Sequence, residues 1–196
     1  MKTKCISLLL IAVGIFTSLV GCQIKEATED EVYEKFHEKV SKIQSYTCVA
    51  EVRVVGNKSK SSYILRHNYN KPNNYYLEVL SPENLKGNIM EYKDDKIVIK
   101  NSKINDLIEF YNDDKAAQYL FVGDFINNFI RKEGIDVKLS DDKLILESKI
   151  PGDDEYFNKQ VLYVDIQEKV PTNMEILDKQ GNIKFIITYK DFEYKK

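Results

Sequence analysis

The side chain whose chemistry the sequence states most plainly is the thiol of Cys22. It follows Leu19-Val20-Gly21, at the end of an apolar run from Ile6 to Val20 that is led by the basic stretch Met1-Lys2-Thr3-Lys4. A helix of about 15 residues spans only ~22 Å, short of a ~30 Å hydrocarbon core. Such a run behind a basic lead reads as a secretory signal rather than a permanent span. A small residue before the cut suits any signal peptide. The cysteine immediately after it is the specific feature, because its sulfur is where a diacylglycerol, with acyl chains of the palmitate kind, is attached. Cleavage is expected between Gly21 and Cys22. One buried acyl chain binds a membrane only marginally, roughly 10⁴ M⁻¹, whereas two hold stably. The expected organisation is a signal peptide over 1–21, a lipidated tether over 22–30 and a folded domain over 31–196, at the extracytoplasmic face of the cell membrane.

Beyond that sulfur the chain offers little chemistry. His37 and His67 are its two histidines, with no His or Cys partner at metal-ligand spacing. His37, beside Phe36, is expected at the surface, and His67, on a strand with Tyr63, Leu65 and Tyr69, as a hydrogen-bonded histidine at the core edge. No nucleophile elbow, phosphate-binding glycine loop or zinc-protease helix motif occurs. The paired carboxylates Asp94-Asp95, Asp113-Asp114, Asp141-Asp142 and Asp153-Asp154 fall where turns are expected, a setting that favours aspartate for local hydrogen bonds. No calcium-loop spacing accompanies them. The reading is a protein with no catalytic residue, no metal and no cofactor. With Cys5 lost in the signal and Cys22 lipidated, Cys48 is left without a disulfide partner, and its place on an apolar strand face predicts a buried, inert thiol.

The elements around these residues alternate in period. Over Glu26 to Ser45 the apolar residues Val32, Phe36, Val40 and Ile43 recur at helical spacing, with Thr28 and Glu31 placed as a capping box. The period then becomes two, with Tyr46, Cys48, Ala50, Val52 and Val54 on one face. About eleven short strands follow, joined mostly by hairpin-length turns, and Ile104 to Tyr111 is read as one of them. A second helix is expected over Ala116 to Lys132, its apolar stripe carrying Phe121, Val122, Phe125, Ile126, Phe129 and Ile130 against Asp124, Asn127, Asn128 and Arg131. That stripe predicts a lid, plug or core helix. Repeated short antiparallel strands favour an open barrel or strongly bent sheet. Removing residues 1–21, with Lys2 and Lys4, leaves 175 residues at a net charge of −4, one domain's worth. No basic stripe argues for nucleic acid. Lysine outnumbers arginine 26 to 3 and tryptophan is absent, which suggests an AT-rich, Gram-positive source.

The order of elements resembles the LolA/LolB-like lipoprotein-carrier family. The resemblance is carried by Ile43-Gln44-Ser45-Tyr46 at the helix-to-strand junction, Lys71-Pro72 and Ser81-Pro82 before strands, and Asp94-Asp95-Lys96 opening another. It closes on Pro171-Thr172-Asn173-Met174 through Asp178-Lys179-Gln180-Gly181. It implies a mainly β fold: a half-open antiparallel barrel of about eleven strands with an N-terminal helix and a lid or plug helix. Within that family the chain is most similar to the lipidated spore-germination proteins of clostridia. That implies a non-enzymatic binding partner and regulator of a spore-cortex N-acetylmuramoyl-L-alanine amidase, on the outer forespore membrane facing the cortex. Soluble carriers of the family are not lipidated and use an early-strand arginine to hold the lid; here Arg53 and Arg66 are the early arginines, and the resemblance assigns that role to neither.

Large aromatics serve cores and interfaces alike. On one strand Tyr75 and Tyr76 point to opposite faces, so one of them is a candidate contact for a protein partner or ligand, and Phe121, Phe125 and Phe129 are candidates on the second helix. Open barrel edges also invite pairing, so a strand-exchanged homodimer is a further expectation. The alternative function is a carrier or receptor for a lipid or lipoprotein acyl chain, which needs a continuous apolar cavity beneath the second helix.

Overall fold

The computed structural model describes residues 27–56, 60–72, 74–93, 96–101, 103–104, 106–111, 122–131, 134–152 and 154–195. Gly21, Cys22 and Phe121, like Asp94-Asp95 and Asp113-Asp114, lie outside the described residues.

Helix α1 (Glu29–Ser41) starts where the capping box places it. The Glu31 amide donates to Thr28 Oγ1 and the Thr28 amide to Glu31 Oε2, each at 3.3 Å. Glu29, Asp30 and Glu31 load the first turn with negative charge, which the positive helix end favours. The helix is shorter at both ends than the expected span Glu26 to Ser45: Thr28 takes the cap, and the chain turns at Lys42 so that Ile43 still packs inward.

Eleven strands follow: β1 (Ser45–Val55), β2 (Lys60–Asn70), β3 (Asn74–Ser81), β4 (Ile89–Lys93), β5 (Lys96–Asn101), β6 (Asp106–Tyr111), β7 (Ile135–Ser140), β8 (Lys143–Lys149), β9 (Lys159–Asp165), β10 (Pro171–Leu177) and β11 (Ile183–Lys195). They form one antiparallel sheet in the order β6-β5-β4-β3-β2-β1-β11-β10-β9-β8-β7. The first and last strands meet in the middle, Ser45 opposite Lys195 and Val54 opposite Phe185, while β6 and β7 are the two margins. This is the half-open barrel that the sequence implies. The strand expected from Ile104 begins at Asp106, and Ile104 is left exposed before it.

Strand alternation fixes what goes inside. Tyr46, Cys48, Ala50 and Val52 of β1 point inward, as do Met174 and Ile176 of β10 and Ile187 and Tyr189 of β11. Cys48 is buried and free, and burial pushes its thiol pKa up, so it is held as an un-ionised apolar filler.

α1 lies across one mouth of the barrel. Near its start Glu29 Oε2 accepts the Leu139 amide of β7 at 3.2 Å. Further along, Lys39 Nζ donates to the Glu168 carbonyl at 2.6 Å. Past its end, the Gln44 amide donates to the Lys195 carbonyl at 3.0 Å, and the Lys71 amide to the Gln44 carbonyl at 2.9 Å. The β2–β3, β7–β8 and β9–β10 connections share this end. Antiparallel alternation puts the β1–β2, β3–β4, β8–β9 and β10–β11 connections at the other. Helix α2 (Val122–Ile130) is set into the barrel on the α1 side, with Val122, Phe125, Ile126 and Phe129 buried.

Candidate functional site

α2 is gripped from two sides. Its apolar face meets α1: the Phe129 ring lies 5.1 Å from that of Tyr33, 5.2 Å from Phe36 and 5.5 Å from the His37 imidazole. Its polar face, which the sequence sets opposite the stripe, also meets the sheet. Tyr75 donates to Asp124 Oδ1 at 2.5 Å, the Gly123 amide donates to the Tyr46 hydroxyl at 3.2 Å, and Asn127 Nδ2 donates to the Tyr69 hydroxyl at 2.9 Å. The Tyr69 hydroxyl itself donates to the Pro72 carbonyl at 2.9 Å.

The rings form a row across the strands, Tyr46 to Tyr69 at 5.1 Å, Tyr69 to Tyr75 at 5.0 Å and Tyr75 to Tyr92 at 6.0 Å. Burial raises the pKa of Tyr46, pushes that of Tyr69 up to about 12 and raises that of Tyr75, helped there by the Asp124 charge. The hydroxyls therefore remain protonated and able to donate. A β-carbon at Gly123 would stand 2.9 Å from Tyr75 Cε1 and 3.1 Å from Tyr69 Cδ2, so only glycine lets the helix approach the rings this closely.

These contacts place the candidates. Tyr75, Phe125 and Phe129 are enclosed, at 3%, 1% and 0% exposure, and no partner reaches them in this arrangement. Tyr76 points to the outer face, half-buried, and borders a shallow depression of about 180 Å³ with Asn70, Asn74, Glu91 and Lys93. His37 is half-buried rather than at the surface, because the C-terminal end of α2 packs beside it, with His37 Nε2 3.2 Å from the Ile130 carbonyl.

His67 sits deeper than the core edge, 3% exposed, in register with Cys48 on one side and Leu77 on the other. Burial lowers its pKa to about 4 from 6.5. Between those two values the unfolded chain binds a proton that the folded chain does not. The stabilisation is therefore full above about pH 6.5 and is lost as the pH falls toward 4, a total of about 3 kcal/mol. Urea midpoints measured from pH 7 to 4 are expected to fall through that window, and His67→Gln is expected to flatten the fall by about that amount. An unchanged slope in the variant would exclude His67 as its source.

Among the described residues, no group of three or more His, Cys, Asp and Glu side chains could hold a metal ion, and no helix is long and apolar enough to cross a membrane. One exposed aromatic has no counterpart among the sequence candidates: Tyr156, in the β8–β9 loop, is 65% exposed. Its signal in the sequence is Asp154 two positions earlier, a spacing that ties a turn and presents the next side chain.

A search of the curated proteins found no match. Among solved structures, the GerS lipoprotein of Clostridioides difficile, determined in complex with the CwlD amidase, is 52% identical over 88% of this chain and 99% of its own, with a TM-score of 0.57. A conserved protein from Thermus thermophilus shares the fold at 13% identity, over 86% of this chain and 89% of its own, with a TM-score of 0.52. A LolA superfamily protein from Nitrosomonas europaea aligns at 14% identity over 87% of this chain and 94% of its own, with a TM-score of 0.45. The model of the YdcC-like sporulation protein family matches residues 2–196, and with GerS at 52% identity this chain belongs to that family.

Proposed function

We propose that this chain is a lipid-anchored, non-enzymatic partner and regulator of a cell-wall amidase in sporulating cells, acting in spore germination. The observation that carries the reading is the 52% identity, over 88% of the chain, with a lipoprotein whose solved structure is a complex with an amidase. The Leu19-Val20-Gly21-Cys22 sequence supports attachment by a lipid at Cys22, on the extracytoplasmic side and, in the sporulating cell, on the outer forespore membrane. The seat of α2 favours this reading over a carrier of acyl chains. A carrier needs open apolar space under its lid, and the described lid face is occupied by ring contacts and tyrosine hydroxyl bonds.

A strand-exchanged pair of copies belongs to the same proposal. The exposed Leu107 and Ile108 on the marginal strand β6 support it, since an edge strand can pair with another chain. The test is to mix the purified lipoprotein with the cortex amidase of the same cell, at micromolar concentration. Co-elution is expected, with a changed rate of amide cleavage on cortex peptidoglycan and a light-scattering mass that counts two copies of this chain. Separate elution and an unaltered rate would overturn the reading, and a mass with one copy would overturn the pairing.

A further inference from the structure

The barrel mouth opposite α1 carries a second built surface. The β1–β11 ladder stops at Val54 and Phe185 although both strands continue, to Val55 on one side and through Lys184 to Ile183 on the other. Where they splay, a groove of about 290 Å³ opens, walled by Val54, Val55, Phe157 and Phe185 and bordered by Tyr156 and Lys184.

The loop that presents Tyr156 is tied at several points. Asp154 Oδ1 accepts the amides of Tyr156 and Phe157 at 2.6 and 3.0 Å. The Lys179 amide donates to the Glu155 carbonyl at 3.1 Å, and the Asn158 amide to the Leu177 carbonyl at 2.9 Å. The Phe157 ring stacks on Phe185 at 5.4 Å. Beneath the loop, Asp178 holds the β10–β11 turn by accepting from the amides of Gln180 and Asn182 and from Lys184 Nζ at 2.9 Å. Burial pushes the Asp178 carboxyl pKa up, but the bonds from Asn182 and Lys184 outweigh it and hold the group below the usual carboxylate range. Lys184 is thereby ion-paired where it borders the groove, with its Nζ 5.8 Å above the Tyr156 ring.

An aromatic left 65% exposed on a tied backbone loses little freedom on binding. Among the described residues lining the groove the one charged group is Lys184, and it is paired with Asp178. Small-molecule and cofactor sites run to roughly 300–1,000 Å³ with several convergent polar groups. This groove is at the bottom of that range and mostly apolar, which suits one large aliphatic or aromatic protein side chain better than a sugar chain.

Its position agrees. The lipidated tether leads into α1 at Glu29, and the seven residues 22–28 reach at most about 25 Å, so the α1 mouth is kept near the bilayer and the Tyr156 mouth is turned away from it. The geometry points to this mouth as the docking site for the amidase, with Tyr156 as the anchor and a Leu, Met or Phe side chain of the enzyme in the groove. The assignment rests on the amidase reading above.

The test uses the full lipoprotein in detergent micelles and calorimetric titration with the amidase. Tyr156→Ala and Val55→Lys are each expected to weaken binding tenfold or more, with Lys42→Ala at the α1 mouth within twofold of the original chain and all three unfolding within a few degrees of it. If the original chain binds and Tyr156→Ala binds within twofold of it, the docking site is wrong and the amidase reading stands. If the original chain does not bind, both fall. Soluble peptidoglycan fragments are titrated in parallel, and a saturable heat that disappears in Tyr156→Ala would overturn the protein assignment in favour of a glycan.

Discussion

Phe129→Ala is expected to lower the unfolding free energy by about 3–5 kcal/mol, the range for truncating a fully enclosed phenylalanine. Phe129 has no exposed surface and touches three rings of α1, so the cavity it leaves cannot be filled by a neighbour without moving that helix. Nine residues of α2 are too few to stay helical unaided. Loss of the ring contacts therefore threatens the whole seat, including the Tyr46, Tyr69 and Tyr75 hydroxyl bonds. Urea unfolding followed by circular dichroism measures the change, and binding of an apolar dye at low urea reports whether the tyrosine row has been uncovered. A shift below about 1 kcal/mol would mean that α2 is held chiefly by its polar side.

Cys22→Ser is expected to move the protein from the membrane to the soluble fraction, or to leave it as a precursor that no longer enters the detergent phase in cloud-point partition. Each acyl chain contributes roughly 0.8 kcal/mol per buried CH₂, so losing two chains exceeds any other single effect open to this molecule. Net acidity gives the domain no electrostatic hold on anionic lipid in its place. Mass spectrometry of the original chain should show a diacylglycerol on a first residue Cys22. A serine variant that stays in the detergent phase with residues 1–21 attached would place the anchor in the apolar run instead.

Strand periodicity made the sheet legible, because alternation of Tyr46, Cys48, Ala50 and Val52 admits one orientation and short turns pair successive strands, whereas the β1–β11 pairing is seen only in the fold. The α1 start was legible for the same reason that it is stable: Thr28 and Glu31 are three apart, the spacing at which each side chain reaches the other's amide. The seat of α2 was less so. Its apolar stripe announced burial, but Asp124 and Asn127 looked like a solvated face. Only the fold shows that Tyr69 and Tyr75, about fifty residues earlier, arrive beneath them. Tyr75, a candidate contact from the sequence, holds Asp124 of α2 in the fold. Tyr156 was passed over because a loop has no period to read. The burial of Asp178 has no signal in the sequence, because a turn aspartate is ordinarily exposed, and this one is 4% exposed.

Of the two sheet margins, β7 has its outward Leu139 amide occupied by Glu29 of α1, while β6 carries the exposed side chains of Leu107 and Ile108. A sheet with two open margins can add molecules at both and grow into a fibre. One with a single open margin runs out of valence after the first addition, since a two-fold contact consumes both available edges. By holding an amide of the β7 margin, the carboxylate of Glu29 hinders addition of a further strand there, and Glu29→Ala is expected to raise the rate of self-association measured by light scattering.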